Sequence, residues 1–259
     1  MVELFRNLFR YRELCVSLVK RELSARYKQS FLGPAWALLQ PLALMGTFVI
    51  IQSFVRLPSD GIPFPIFVYA GLLPWTLFSN TLSLMAPSIV SNAAIVRKIY
   101  FPREVFPISS AIVCLFDFVI AFTVLVALML YYGIAPTPWF LLFPVLLLIQ
   151  TAFSLGIGML ACALATFSRD VLFAAVFVLQ LWMYASPILY PLSAVPEQWR
   201  SLYLLNPMAG LISCFRDVLV GGVAPDPWVL AITAGESFFV LWLGYRVFKA
   251  LERYYADVV

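Results

Sequence analysis

The sequence predicts an all-α membrane protein: an N-terminal amphipathic interface helix, six transmembrane helices, and two short re-entrant outer helices between spans 5 and 6. Three features carry this expectation. Of 259 residues, 63% are hydrophobic and 12% charged, with a mean hydropathy of +0.95; soluble domains run at about 45–50% apolar and about 25% charged. Too few polar side chains remain to cover a water-facing surface, so the chain belongs in lipid, where helices satisfy their own backbone groups. Apolar stretches of spanning length recur six times, and the Lys and Arg residues gather on one side of them.

The interface helix comes first, over residues 3–23. At about 100° per residue, Leu4, Leu8, Tyr11, Cys15, Leu18 and Val19 fall together, and Phe5, Phe9, Val16 and Leu23 widen that face. Arg6, Arg10, Glu13, Ser17, Lys20 and Arg21 lie opposite; Arg12 alone breaks the pattern, and an arginine can snorkel. Such a helix lies in the membrane interface rather than crossing it. Glu3 and the lack of an early apolar run do not resemble a cleavable signal peptide.

A span needs about 20 mostly apolar residues. Segments 34–55, 64–90, 105–132, 139–167, 171–189 and 228–248 qualify, separated by turn signals such as Pro58-Ser59-Asp60-Gly61 and Ser168-Arg169-Asp170. Fourteen Lys and Arg residues fall on one side and only Arg56, Arg200 and Arg216 on the other. Positive charge marks the cytoplasmic side, so both termini are expected there. The chain then divides into a cytoplasmic interface segment, 1–33, and a six-helix membrane domain, 34–259.

Residues 191–222 are the exception. Glu197, Gln198 and Trp199 read as the start of a short helix. Asn206-Pro207 offers an N-cap with proline at the first helical position, and Gly221-Gly222 a stop. The segment between is too short to span and carries Arg216 and Asp217, so two helices that dip in and return are expected.

Composition also excludes. There is no histidine and no glycine followed by lysine, which removes the commonest general base and the usual phosphate-cradling ATPase loop. No basic stripe with interleaved aromatics suggests nucleic acid. Cys15, Cys114, Cys162 and Cys214 are scattered, with no CxxC pair, and read as small buried hydrophobes. Two acids, Asp117 and Glu236, fall within spans, where charge is costly and faces the protein interior; a relay or a hydrogen-bonded link between helices would explain them. Trp75, Trp139, Tyr190 and Trp228 near span ends suit interfacial belts.

Two stripes combine polarity with aromaticity: Trp36, Gln40, Ala43, Thr47 and Phe54 in the first span, and Phe173, Phe177, Gln180 and Tyr184 in the fifth. Rings cover the C–H faces of sugars and amides bond their hydroxyls; ordinary helix packing is the plainer explanation.

Three stretches carry a family resemblance. One runs from Lys20-Arg21-Glu22-Leu23 through Arg26-Tyr27-Lys28 and Gly33-Pro34-Ala35-Trp36 to Gln40-Pro41-Leu42. Another joins Ala70-Gly71-Leu72-Leu73-Pro74-Trp75 to Val96-Arg97-Lys98-Ile99-Tyr100-Phe101-Pro102-Arg103-Glu104. The third is Ser186-Pro187-Ile188-Leu189-Tyr190-Pro191 with Asn206-Pro207-Met208 and Phe215-Arg216. In this order, from about residue 20 to 220, they resemble the ABC-2 type permeases that export polysaccharides of the O-antigen, capsule and teichoic acid kinds.

The resemblance implies a homodimer bound to two copies of a separate nucleotide-binding ATPase. That partner would hold ATP and Mg, with no cofactor in this chain. Residues 91–104 would be the coupling loop, docking through Arg97, Lys98, Tyr100, Phe101, Pro102, Arg103 and Glu104. Residues 191–222, with Trp199, Asn206, Pro207 and Arg216, would form the outer gate, and the two stripes would line the path. The cargo would be a lipid-linked polysaccharide on a polyprenyl pyrophosphate, passed from cytoplasm to periplasm through the bacterial inner membrane, with Arg26 and Lys28 meeting the pyrophosphate. A permease for teichoic acid, another lipid or a drug fits the same residues. A polyprenyl-lipid transferase would want clustered acids, histidines or a sizeable soluble face.

Overall fold

A computed structural model describes residues 6, 7, 9–28, 30, 32–98 and 101–258, with backbone alone for Ala256 and Asp257. Among these the secondary structure is entirely helical. Helix α1, Arg12–Tyr27, is followed by α2, Trp36–Val55, and α3, Phe64–Met85. A short α4, Ala93–Lys98, leads into α5, Val105–Tyr132, α6, Phe143–Phe167, and α7, Asp170–Tyr184. Two short helices, α8, Glu197–Tyr203, and α9, Pro207–Arg216, precede α10, Pro227–Leu251, and a last turn, α11, Tyr255–Val258.

Four helical stretches are long and apolar enough to cross a membrane: Gly33–Val55, Val105–Tyr132, Pro138–Phe167 and Pro227–Tyr254. The pair Glu197–Tyr203 and Pro207–Gly221, bent by 107°, would make a fifth. Two expected spans come out shorter than the apolar runs that suggested them. Helix α3 stops at Met85 rather than 90, because Pro87 follows its C-cap and cannot continue the ladder. Helix α7 has 15 residues and stops at Tyr184 rather than 189, because Pro187 drives the residue before it out of helical geometry.

The expected caps before α9 are present. Asn206 Oδ1 accepts the Met208 amide at 3.1 Å, Pro207 takes the first position, and the chain turns out at Gly222 with φ +65°. Helix α1 runs one turn past its predicted end and seats Cys15, Leu18 and Val19 against α5. Leu4, Phe5 and Leu8 of its predicted apolar face lie outside the described residues. All four cysteines are free and buried.

Helix α3 is the centre of the bundle, touching α2, α5, α6, α7 and α9. The Tyr69 hydroxyl donates to the Ala121 carbonyl of α5 at 2.8 Å, and Gln150 of α6 donates to the Pro74 carbonyl at 3.3 Å. Trp75, expected in an interfacial belt, is instead buried in the bundle, its ring 5.7 Å from that of Phe78. Helices α6 and α10 cross with backbones in contact: a methyl group on Gly244 would lie 2.1 Å from the Gly156 carbonyl oxygen. Small residues permit such approaches where lipid supplies no hydrophobic drive for packing.

Candidate functional site

The extra turn of α1 creates the site. It carries Arg26 and Tyr27 to the middle of α5, where both bond Asp117: the guanidinium reaches Oδ2 and the phenol donates to Oδ1. A carboxylate this enclosed needs partners, because desolvation without them costs more than the fold can supply. Burial and then the adjacent carboxylate push the Tyr27 phenol up to about 12, so it remains a donor at neutral pH. One turn earlier, Glu22 accepts from the Ser110 hydroxyl; burial raises its carboxyl above the ordinary range, against the opposing effects of Ser110, Arg26 and Arg21.

Arg26, Tyr27 and Asp117, but not Glu22, wall a cavity of about 230 Å³, with Trp36, Ala37, Gln40 and Pro41 of α2 and Thr76 and Asn80 of α3. Trp36 and Gln40 stand four apart and so share one helical face. Gln40 and Thr76 also line a neighbouring groove of about 600 Å³, with Leu44, Trp75, Ser79, Leu179, Gln180, Met183 and Tyr184. The two stripes read from the sequence thus meet at Gln40, Gln180 and Tyr184. The first hollow offers a cation and a phenol; the second offers amides, hydroxyls and rings.

The remaining predicted path residues do not join it. Thr47 spends its hydroxyl on the Ala43 carbonyl of its own helix, and Phe54, Phe173 and Phe177 project from the bundle, Phe54 with 82% of its surface exposed. Lys28 is exposed outside the cavity. Glu236 encloses a carboxylate oxygen that finds no hydrogen-bond partner among the described residues, unlike Asp117.

Along 91–104, Arg97 and Lys98 are exposed and Tyr100 lies outside the described residues. Phe101 is buried against Phe106, centroids 5.4 Å apart, and Pro102 is half-buried. The Arg103 amide donates to Glu252 Oε1 at 2.9 Å, and its guanidinium bonds the Glu252 carbonyl. Glu104 is fully buried, accepting from Asn7 at 2.9 Å and Lys249 at 2.8 Å. A docking role for the Glu104 side chain is therefore corrected: it fastens the loop to the end of α10, which leaves Arg97 and Lys98 as the presented cations.

The expected gate residues divide similarly. Trp199 is exposed and Pro207 buried. Asn206, besides capping α9, accepts from the Trp182 indole at 2.8 Å and so ties α9 to α7. Arg216, expected in the outer gate, is 5% exposed; it donates to the carbonyls of Phe67, Pro187, Ile188 and Tyr190 and stacks 3.7 Å from the Phe67 ring. It is an internal staple, and Gly71 makes room for it, since a methyl group there would meet the guanidinium at 2.5 Å.

Sequence reasoning missed Tyr27, Thr76, Ser79 and Asn80. The last three had a signal, being polar at helical spacing inside an apolar run. Tyr27 had none, because its neighbour Asp117 stands 90 residues away.

The profile of the ABC-2 type transporter membrane family matches residues 13–220. The chain is 36% identical to the O-antigen export system permease protein RfbA of Myxococcus xanthus, over 100% of both chains. It is 27% identical to the O-antigen export system permease protein RfbA of Klebsiella pneumoniae, over 95% of each. With the polysialic acid transport protein KpsM of Escherichia coli it shares 27% identity, over 91% of this chain and 92% of that one.

Proposed function

The chain belongs to the ABC-2 type transporter family as a membrane-spanning permease, and from that premise we propose that it exports a lipid-linked polysaccharide of the O-antigen kind. The observation that carries this reading is a pair of adjoining hollows that share Gln40 and Thr76, one lined by Arg26 and Tyr27 and the other by Gln180 and Tyr184. The cationic hollow suits the pyrophosphate of a polyprenyl carrier, and the amides and rings of the other suit the sugar behind it. Lys28, exposed beside Arg26 in sequence, would add charge at the entrance rather than contact in the cavity.

In this reading the chain crosses the bacterial inner membrane six times with both termini cytoplasmic. The 22 residues of α3 reach about 33 Å at 1.5 Å each, and α7 with its non-helical continuation supplies the fifth crossing. The bent pair α8–α9 forms the outer re-entrant gate. Two copies of the permease face one another across α2 and α7, whose exposed Phe54, Phe173, Phe177 and Tyr184 would otherwise meet only lipid. Two copies of a separate ATPase, holding ATP and Mg, dock against Arg97 and Lys98. Their movement reaches α10 through the Arg103, Glu104, Lys249 and Glu252 cluster.

The test is co-purification with a candidate nucleotide-binding ATPase from the same organism, followed by reconstituted export. Replacing Arg97 and Lys98 with glutamine is expected to cut export by at least about tenfold, with the permease still folded. A permease that never binds an ATPase overturns the reading.

A further inference from the structure

We propose that Asp117 is a resident counter-anion: it holds Arg26 and Tyr27 when the cavity is empty and yields them to a phosphate group that enters. This rests on the reading that Arg26 meets the phosphate of the cargo lipid, and adds what that cation does before the cargo arrives. Two donors converge on the two oxygens of one carboxylate, an arrangement that a phosphate can accept with more charge and one more oxygen. The other polar groups on the cavity wall, Gln40, Thr76 and Asn80, are neutral. Arg26 and Asp117 are the one cation and one anion lining it among the described residues, so the empty cavity is electrically balanced.

A phosphate that came in beside an intact pair would meet a carboxylate at close range, where like charges repel strongly. Either the anion or the cation must turn away. The exposures decide which: the Arg26 side chain is 36% exposed and Asp117 only 10%. Arg26 sits on the last turn of α1, whereas Asp117 is mid-helix in α5 and buried apart from its face on the cavity. The cation swings and the carboxylate stays.

Two consequences follow. A polyprenyl chain without phosphate cannot displace Asp117, so the pair selects for the charged carrier. When the head moves on, Asp117 takes Arg26 back, which lowers the affinity of the site and favours release. The exchange makes Asp117 a specificity-determining residue rather than a structural tie.

The experiment measures binding of farnesyl diphosphate, with farnesol as the uncharged control, to the full chain in lipid nanodiscs. Asp117→Asn is expected to bind the diphosphate at least about tenfold tighter than the wild type, because the internal competitor for a charge-assisted contact is gone. Arg26→Gln should bind at least about tenfold more weakly. Equal affinity of Asp117→Asn and wild type, with Arg26→Gln still impaired, overturns the counter-anion and leaves the entry reading intact. Wild-type affinity in Arg26→Gln overturns the entry reading itself. Should Asp117→Asn fail to fold, the wild type answers alone. A carboxyl adds to a hydrophobic carbodiimide only when its oxygens are accessible, and in the pair both are covered by Arg26 and Tyr27, so farnesyl diphosphate, by drawing these donors away, should raise modification of Asp117 by about threefold or more. An unchanged or slower rate refutes the exchange.

Discussion

Helices α2 and α3 are nearly equal in length, 20 and 22 residues, yet they are opposite in situation. Only Pro41 and Phe48 are buried in α2, whereas seventeen residues are buried in α3. Hydropathy does not account for the difference, since the two helices are similarly apolar overall. Lipid tails are as apolar as leucine, so apolarity gives a helix no reason to leave lipid for protein. What sends α3 inward is its polar content, which needs partners: the Tyr69 hydroxyl and the Pro74 carbonyl both find them on neighbouring helices. Helix α2, whose Gln40 faces the cavity and whose Thr47 and Ser53 hydroxyls are satisfied by its own carbonyls, stays at the margin, where a second surface can meet it.

This contrast can be broken or sharpened in three ways. The largest effect is expected from Arg216→Met, which leaves the carbonyls of Phe67 and residues 187, 188 and 190 enclosed without a donor. At about 1.5–3 kcal/mol for each of these bonds to a charged group, the loss is about 6–12 kcal/mol, read as a fall in thermal midpoint in detergent or as failure to accumulate. A variant as stable as the parent would remove Arg216 from the account of the central helix.

Paired truncations on the two helices come next. Phe78→Ala in α3 empties a site with no exposed surface and stacked on Phe153 at 5.1 Å, and should cost about 3–5 kcal/mol. Phe54→Ala in α2 should stay within about 0.5 kcal/mol while weakening association of two copies, measured by cross-linking in membranes. Similar costs for both would erase the distinction between centre and margin.

The smallest effect concerns Glu22, on α1. Its carboxyl is raised in the folded protein, chiefly by burial. The folded state therefore holds this proton more tightly than the unfolded chain, and the stability so gained is present at acid pH and is lost as pH rises through the raised value. Glu22→Gln should match the wild type below the ordinary carboxylate range and exceed it slightly at neutral pH. Parallel stability curves across that range would show the burial to be fully compensated.

Much of the helical layout is legible in the sequence because caps and breakers act locally. Asn206-Pro207 starts α9 where expected, and Pro187 and Pro87 end their helices for reasons that dipeptides carry. The stripes on α2 and α7 likewise point at Gln40, Gln180 and Tyr184 through helical spacing alone. Pairings across the bundle are illegible. Nothing near Asp117 in sequence announces Arg26 or Tyr27, and nothing near Glu104 announces Lys249. The staple at Arg216 is illegible too, because no local pattern reveals that four carbonyls converge on it. Hydropathy leaves depth within the bundle unassigned for the same reason: it sums residues along the chain and is blind to what stands across from them.

The crossing of α6 and α10 has a mechanical consequence. With Gly156 and Gly244 backbone to backbone, no compressible side chain lies between the two most extensively packed helices of the fold at that point, and neither can approach the other further. They form a strut of fixed width. On the proposed reading, a stroke delivered to the end of α10 through Lys249 would be carried by both helices as one lever, and the width of the conduit would be set by the loosely held α2 and α7, in the way a door moves on a frame that does not.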